Sequence, residues 1–174
     1  MIDKNRIRKA TYELISALDD DPNRNGLIET PDRVANMYEE LFSKTQENPK
    51  FLLKYFEEST IYDGIVTLKD IEFCSICEHH LLPFYGKVNI SYMPEKTKII
   101  GLSKIARIVD YFSKKLQLQE RLTTEIADFL EEEVSPRGVL VEIEATHMCM
   151  KIRGVKKSDA KVVTKISRGE FKCS

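Results

Sequence analysis

Residues 139–149 read VLVEIEATHMC, a stretch in which apolar and polar side chains alternate. Because side chains two apart lie on the same side of a strand, one face carries Val141, Ile143, Ala145, His147 and Cys149. We predict a strand from Val139 to about Lys151, with His147 and Cys149 roughly 7 Å apart along it. Taken alone, this pair is more typical of a packed thiol beside a hydrogen-bonded histidine than of a functional site.

Two helices are predicted before this strand, in an N-terminal helical region at 1–62. The first runs from about Asp3 to Leu18, and its inner stripe is predicted to hold Ile7, Thr11, Leu14 and Leu18. Pro22 and Gly26 then interrupt the helical pattern. The second helix is predicted to start with Thr30 as its cap and Pro31 as its first residue. Its inward residues are predicted to be Val34, Met37 and Leu41.

The remainder, 63–174, is predicted to be the catalytic region of what is one compact unit overall. Strands are expected near 65–73, 86–93 and 162–167 in addition to the strand at 139. Ser103 is the predicted cap of a helix with Ile105, Ile108, Val109 and Phe112 inside. A further helix near Gln119 is predicted to bury Leu122, Ile126, Phe129 and Leu130. A hairpin, two helices and a second hairpin make an α+β fold.

Composition narrows the class of protein. The chain has 174 residues and a net charge of -1, from 27 basic and 28 acidic residues. This balance argues against a nucleic-acid partner, and no apolar run is long enough for a membrane span. The first residues lack the apolar core of a signal peptide, so we expect a cytoplasmic location in which thiols stay reduced. Four cysteines in such a chain indicate metal or redox chemistry rather than a disulfide framework.

The second chemical motif is Cys77-Glu-His-His80. The chain has only three histidines, and all lie close to cysteines in the sequence. A Cys-x-x-His spacing allows Cys77 and His80 to bind one metal across a tight turn, and Cys149 would add a second thiolate. His79 would then be free to act as an acid or base, although the motif could also be a surface turn with two solvated histidines. Two thiolates and one imidazole suit zinc, and three protein ligands are typical of a catalytic site.

Two other cysteines leave an alternative open. Cys74 and Cys77 form a Cys-x-x-Cys pair, and together with Cys149 and Cys173 they could make a closed tetrathiolate site. We rank this second because it leaves the three histidines unexplained.

Cationic residues near these motifs could bind a phosphorylated small molecule. Lys104 and Arg107 are three apart at the start of a predicted helix, where backbone N–H groups also favour an anion. Arg153 follows Cys149 by four residues. Each of these cations could equally belong to a solvated face, and Gln119-Glu120 could be a simple helix cap.

Five stretches are similar to signature segments of the GTP cyclohydrolase I family, in the same order along the chain. They are DDPNRNGLIETPDRVANMY (20–38), CEHHLLPFYGKV (77–88), IIGLSKIARIV (99–109), LQERLT (118–123) and HMCMKIRGVKK (147–157). The resemblance covers nearly the whole chain. It implies a tunnelling fold, in which an antiparallel sheet is backed by helices, and a toroidal homodecamer of two pentamers with sites between subunits.

The resemblance also implies an activity: zinc-dependent hydrolysis of GTP to formate and 7,8-dihydroneopterin triphosphate, the first step of tetrahydrofolate and pterin biosynthesis. By matching position, the resemblance assigns the ligands of one zinc per subunit to Cys77, His80 and Cys149. It assigns the acid and base groups to His79 and His147, with Ser103 beside them for the ribose steps. It assigns guanine recognition to Gln119 and Glu120. It assigns the triphosphate clamp to Lys104, Arg107 and Arg153, with Arg33 from another subunit.

Two other functions compete with this one. A related tunnelling-fold nitrile reductase would use a nucleophilic cysteine and a nicotinamide cofactor in place of zinc. A non-catalytic scaffold would use all four cysteines to hold a structural zinc, and would therefore need Cys74.

Overall fold

The computed structural model describes residues 2–18, 20–43, 48–57, 62–95 and 98–171. The chain divides into two compact units, Met1–Gln46 and Glu47–Ser174. Among the described residues, no helix has both the length and the apolar composition that a membrane crossing requires. Cys173 of the tetrathiolate hypothesis lies outside the described residues.

The first unit is a pair of packed helices, α1 (Lys4–Ala17) and α2 (Thr30–Leu41). The Asp3 carboxylate caps α1 by accepting a hydrogen bond from the backbone N–H of Arg6 at 3.0 Å. The cap position of α2 is Glu29 rather than the predicted Thr30, so Thr30 is the first helical residue and Pro31, predicted to be first, is the second.

The buried stripe of these helices differs from the prediction. Thr11, Ile15 and Ala35 are buried, whereas Leu14 and Leu18 are 59% and 72% exposed. Met37, predicted to point inward, is 45% exposed. The face that each helix turns toward the other decides which of its residues are buried. Hydrophobic spacing alone could not choose between adjacent stripes.

The second unit contains a five-stranded sheet with strand order β5-β2-β3-β6-β7. These strands are β2 (Val66–Cys77), β3 (Pro83–Met93), β5 (Leu116–Gln117), β6 (Gly138–His147) and β7 (Val162–Gly169). The pairs β2–β3, β3–β6 and β6–β7 are antiparallel, and the short β5 runs parallel to β2. A separate ribbon pairs β1 (Tyr55–Glu57) with β4 (Lys98–Ile100), after a 3-10 helix at Pro49–Leu52.

Two helices, α3 (Leu102–Ser113) and α4 (Gln119–Phe129), pack against the sheet, and a π-helical turn, Leu130–Val134, extends α4. The predicted inner faces are confirmed, because Ile105, Ile108, Val109, Leu122 and Ile126 are fully buried. They meet the alternating apolar residues of β3 and β6 in one hydrophobic core. The α+β class predicted from the sequence is therefore confirmed.

Two further predicted boundaries are wrong. The strand expected to reach Lys151 ends at His147, and Met148–Lys151 forms a helical turn, α5. The cause is loss of partners, because β3 pairs with β6 only as far as Phe84 opposite His147, and β7 pairs only as far as Ala145. Similarly, α3 is capped by Gly101 rather than by Ser103, which is the second residue of the helix.

Gly86 of β3 lies opposite Ala145 of β6 and allows the two strands to approach closely there. A Cβ atom built there would lie 1.9 Å from the backbone oxygen of Glu144. We expect Gly86→Ala to force the two strands apart and to lower the free energy of unfolding by about 1–3 kcal/mol. Denaturant or thermal unfolding would measure this change, and an unchanged midpoint would contradict the strand geometry.

Candidate active site and metal centre

The Cys77 motif lies at the end of β2, in the tight turn that leads to β3. The N–H of Cys77 donates to the carbonyl of Leu82 at 2.9 Å, and the N–H of Leu81 donates to the carbonyl of Cys77 at 3.0 Å. The N–H of Glu78 donates to the carbonyl of Gln117 on β5 at 3.1 Å. Cys77 is 4% exposed, whereas His79 and His80 project from the turn as exposed residues. The turn thus holds a buried thiol behind two accessible imidazoles.

Cys77 meets the end of β6 and the turn of α5. One ligand atom each from Cys77, His147 and Cys149 lie within 4.8 Å of one another. The ring of His147 stacks on Phe84 with 4.8 Å between ring centroids and 9° between ring planes. Because the chain leaves the strand after His147, Cys149 lies beside its own neighbour His147 rather than farther along a strand. These three residues form a group that could bind a metal ion.

Burial shapes the protonation of this group. It lowers the pKa of His147, against the opposite effect of the Glu120 carboxylate. It also raises the pKa of Cys149, with the neighbouring Cys77 adding to the effect. Without a metal, the raised pKa favours the protonated thiol of Cys149. A metal cation bound between the thiols would favour the thiolate form, in which cysteine binds metals.

His80, the predicted third ligand, has another partner in this structure. Its Nε2 lies 3.0 Å from Nη1 of Arg153. Because guanidinium can only donate, His80 accepts this hydrogen bond through the lone pair of Nε2. The structure thus brings the predicted ligands Cys77 and Cys149 together, and it places His147 rather than His80 beside them.

An ion pair braces the turn that carries both exposed histidines. Arg121 of α4 donates two hydrogen bonds to the Glu78 carboxylate, at 2.7 and 3.0 Å. This hydrogen bonding lowers the pKa of Glu78 and keeps its charge opposite the guanidinium. Sequence spacing gave no signal for this contact, because its partners are 43 residues apart.

Gln119 and Glu120 begin α4 close to His147, but they differ in exposure. Gln119 is 1% exposed, and its side-chain oxygen lies 2.8 Å from Nε2 of His147. Glu120 is exposed and lines a small pocket with Thr123, Thr124, Thr164, Lys165 and Ile166. The predicted guanine-recognition pair therefore presents one accessible carboxylate and one enclosed amide.

The predicted residues of α3 do not meet the Cys77 group within one chain. The C-terminal end of α3 is the end near Cys77. There the hydroxyl of Ser75, two residues before Cys77, donates to the carbonyl of Ser113 at 2.6 Å. Ser103 precedes Ser113 by ten residues, about 15 Å at a rise of about 1.5 Å per residue. Ser103 and Lys104 consequently lie at the opposite end of the helix, and Arg107 lies near its middle.

Arg33 belongs to the other compact unit. It lies on α2 as an exposed residue and pairs with Glu29 at 2.5 Å.

The structure gives no support for a tetrathiolate site among the residues it describes. Cys74 and Cys77 are an odd number of residues apart on β2, so their side chains lie on opposite faces of the sheet. Cys74 is exposed, whereas Cys77 is buried.

Comparison with known proteins identifies the family. A sequence model of GTP cyclohydrolase I matches residues 7–174. The chain is 55% identical over 172 residues to a GTP cyclohydrolase 1 of Caldanaerobacter subterraneus subsp. tengcongensis, covering 99% of this chain and 91% of the relative. It is 53% identical to that of Thermoanaerobacter pseudethanolicus, with the same coverage. It is 51% identical to that of Clostridioides difficile, covering 98% of this chain and 90% of the relative. The chain is therefore an enzyme of the GTP cyclohydrolase I family.

Proposed function

We propose that this chain opens the imidazole ring of GTP at C8 in a zinc-dependent hydrolysis that yields formate and 7,8-dihydroneopterin triphosphate. The observation that carries the proposal is the convergence of two thiols and one imidazole, within 4.8 Å, beside an accessible pair of histidines. A ring opening of this kind needs an activated water and groups that deliver protons to ring nitrogens. The site offers residues for both tasks.

The donor set fits zinc. Sulfur and imidazole ligands suit zinc, and magnesium or calcium would require oxygen ligands. We propose Cys77, Cys149 and His80 as the ligands, one zinc per subunit. When the metal binds, His80 would exchange its hydrogen bond from Arg153 for a bond to the metal. His147 is the alternative third ligand, because it already lies beside both thiols.

Zinc held there would supply a Lewis acid that lowers the pKa of water to about 7. The chain's own residues would then move the protons. His79 is exposed and is not a member of the group formed by Cys77, His147 and Cys149, which suits a group that transfers a proton to the guanine ring. His147, half-buried and fixed by Phe84, is proposed as the second acid or base, with Ser103 assisting the ribose steps.

Glu120 is proposed to recognise guanine, whose N1–H and exocyclic amino group can both donate to one carboxylate. Adenine offers no such pair of donors, so a site built this way would discriminate strongly. The resemblance gives Gln119 a share in this recognition. Here that would require its amide to leave the partners it has inside the chain.

Glu120→Gln replaces an acceptor with a group that is half donor. We expect GTP to bind at least tenfold more weakly, in line with the loss of about 1.5–3 kcal/mol for a hydrogen bond to a charged group. Zinc content should stay unchanged. Equilibrium binding of GTP and metal analysis of the same sample would test this. Normal affinity would remove Glu120 from the recognition role.

The triphosphate is proposed to bind Lys104, Arg107 and Arg153, with Arg33 added by another subunit. Since Lys104 lies at the end of α3 that is remote from Cys77 and Arg107 lies near the middle of that helix, we infer that one chain does not assemble this clamp beside its own cysteines. We therefore propose that a neighbouring copy completes each site, within a toroidal decamer of tunnelling-fold subunits. In this proposal the region 63–174 carries the catalytic residues, and the enzyme is cytoplasmic, where thiols stay reduced.

Incubation of the purified protein with GTP, followed by quantification of formate and of the pterin triphosphate, tests the proposed activity. We expect one formate per GTP consumed and none from ATP under the same conditions. Consumption of GTP that releases phosphate without formate would contradict ring opening.

A further inference from the structure

The enclosed amide of Gln119 has a determined orientation. Its nitrogen lies 3.0 Å from the carbonyl oxygen of Ile143, 3.0 Å from that of Val162 and 3.1 Å from the hydroxyl of Thr164. Two of these neighbours are carbonyls, which can only accept hydrogen bonds. The amide nitrogen must therefore face strands β6 and β7, and the amide oxygen must face the other way.

The threonines beside this amide are consistent with the same direction. The Thr123 hydroxyl donates its one proton to the backbone carbonyl of Gln119 at 2.7 Å. The contact of 2.6 Å between Thr123 and Thr164 must then have Thr164 as its donor. Thr164 then keeps both lone pairs as acceptors, and the two N–H protons of the Gln119 amide are shared among this hydroxyl and the two carbonyls.

The orientation of Gln119 decides where His147 carries its proton. The Gln119 side-chain oxygen lies 2.8 Å from Nε2 of His147 and can only accept. Neutral His147 must consequently hold its proton on Nε2, which leaves the lone pair on Nδ1. Stacking on Phe84 fixes the ring plane as well.

We propose that Gln119 is a positioning residue for His147: its amide oxygen holds the neutral imidazole as the Nε2-protonated tautomer and leaves the Nδ1 lone pair directed away from the amide. This rests on the proposed role of His147 in GTP hydrolysis. It differs from a guanine contact, because Gln119 is 1% exposed and its amide is engaged at both ends. Partners that fix the tautomer and orientation of a functional histidine are worth about 10–100-fold in activity.

The first test reads the tautomer directly, by NMR of protein labelled with ¹⁵N-histidine. The chain has three histidines, so the His147 signals are assigned by their loss in His147→Gln. We expect Nε2 of His147 to be protonated in the otherwise unmodified protein. A proton on Nδ1 would overturn the proposal without any variant of Gln119, even if such variants did not fold.

The second test uses Gln119→Met, which keeps the length of the side chain and removes the acceptor. We expect His147 to become a mixture of tautomers and kcat to fall about 10–100-fold, with KM for GTP near its original value. Thr164→Val is the matched control, because it removes a hydroxyl from the same amide but keeps the contact with His147. It should keep the Nε2 tautomer, even if it lowers the unfolding midpoint as much as Gln119→Met does.

A raised KM with an unchanged tautomer in Gln119→Met would overturn the proposal and indicate a guanine contact. The tautomer measurement needs no turnover. Release of no formate by the unmodified protein would therefore refute the proposed function, while the predicted tautomer change would still support the link between Gln119 and His147.

Discussion

Cys149→Ser is expected to lose both its zinc and its release of formate from GTP. Cys149 and Cys77 supply the two thiolates of the proposed site, and their sulfur atoms lie within 4.8 Å of each other. A serine hydroxyl is a much poorer zinc ligand than a thiolate, so one substitution removes the metal and the activity together. Elemental analysis and formate assay of the same preparation would measure both effects.

Cys74→Ser is the matched control for this substitution. Cys74 lies on the opposite, exposed face of β2, three residues before Cys77. We expect normal zinc content and normal formate release. Zinc lost from Cys74→Ser and retained in Cys149→Ser would contradict the ligand set and favour a structural zinc.

The second large effect separates the two adjacent histidines. His80→Ser is expected to lose zinc and all turnover, because its imidazole is the proposed third ligand. His79→Ser is expected to keep zinc and GTP affinity while formate release falls about 10²–10⁴-fold, the usual contribution of a positioned proton donor. Zinc content and formate release of both variants, measured side by side, decide between these roles.

His147→Ser extends this comparison. If His147 is an acid or base, its loss leaves zinc in place. Zinc lost from His147→Ser and retained in His80→Ser would instead make His147 the third ligand, as its place beside both thiols allows. Zinc lost from His79→Ser would show that the two roles in the turn are reversed.

The sequence predicted the parts of the fold that depend on local periodicity. The alternation in β6 and the helical spacing of Ile105, Ile108 and Val109 indicated their buried faces, and these residues are fully buried. The end of β6 could not be predicted, because it depends on where its neighbours β3 and β7 stop pairing. Likewise, the buried stripe of α1 depends on its contact with α2 rather than on its own spacing.

The candidate site shows the same division. Cys-x-x-His spacing marked Cys77 and His80 as chemically important, because both fall within one turn. The stacking of Phe84 on His147 and the hydrogen bond from His147 to Gln119 join residues on different elements, and no local pattern could show them. A buried glutamine directly before an exposed glutamate is a weak signal, since it also fits a helix cap.

A zinc titration measures whether GTP ring opening depends on the metal. The protein is stripped with a chelator, and zinc is returned in steps while formate release from GTP is followed. We expect no formate from the stripped protein, and recovery of formate release in proportion to bound zinc, complete at one zinc per chain. Full formate release from protein shown by elemental analysis to be free of metal would contradict this expectation.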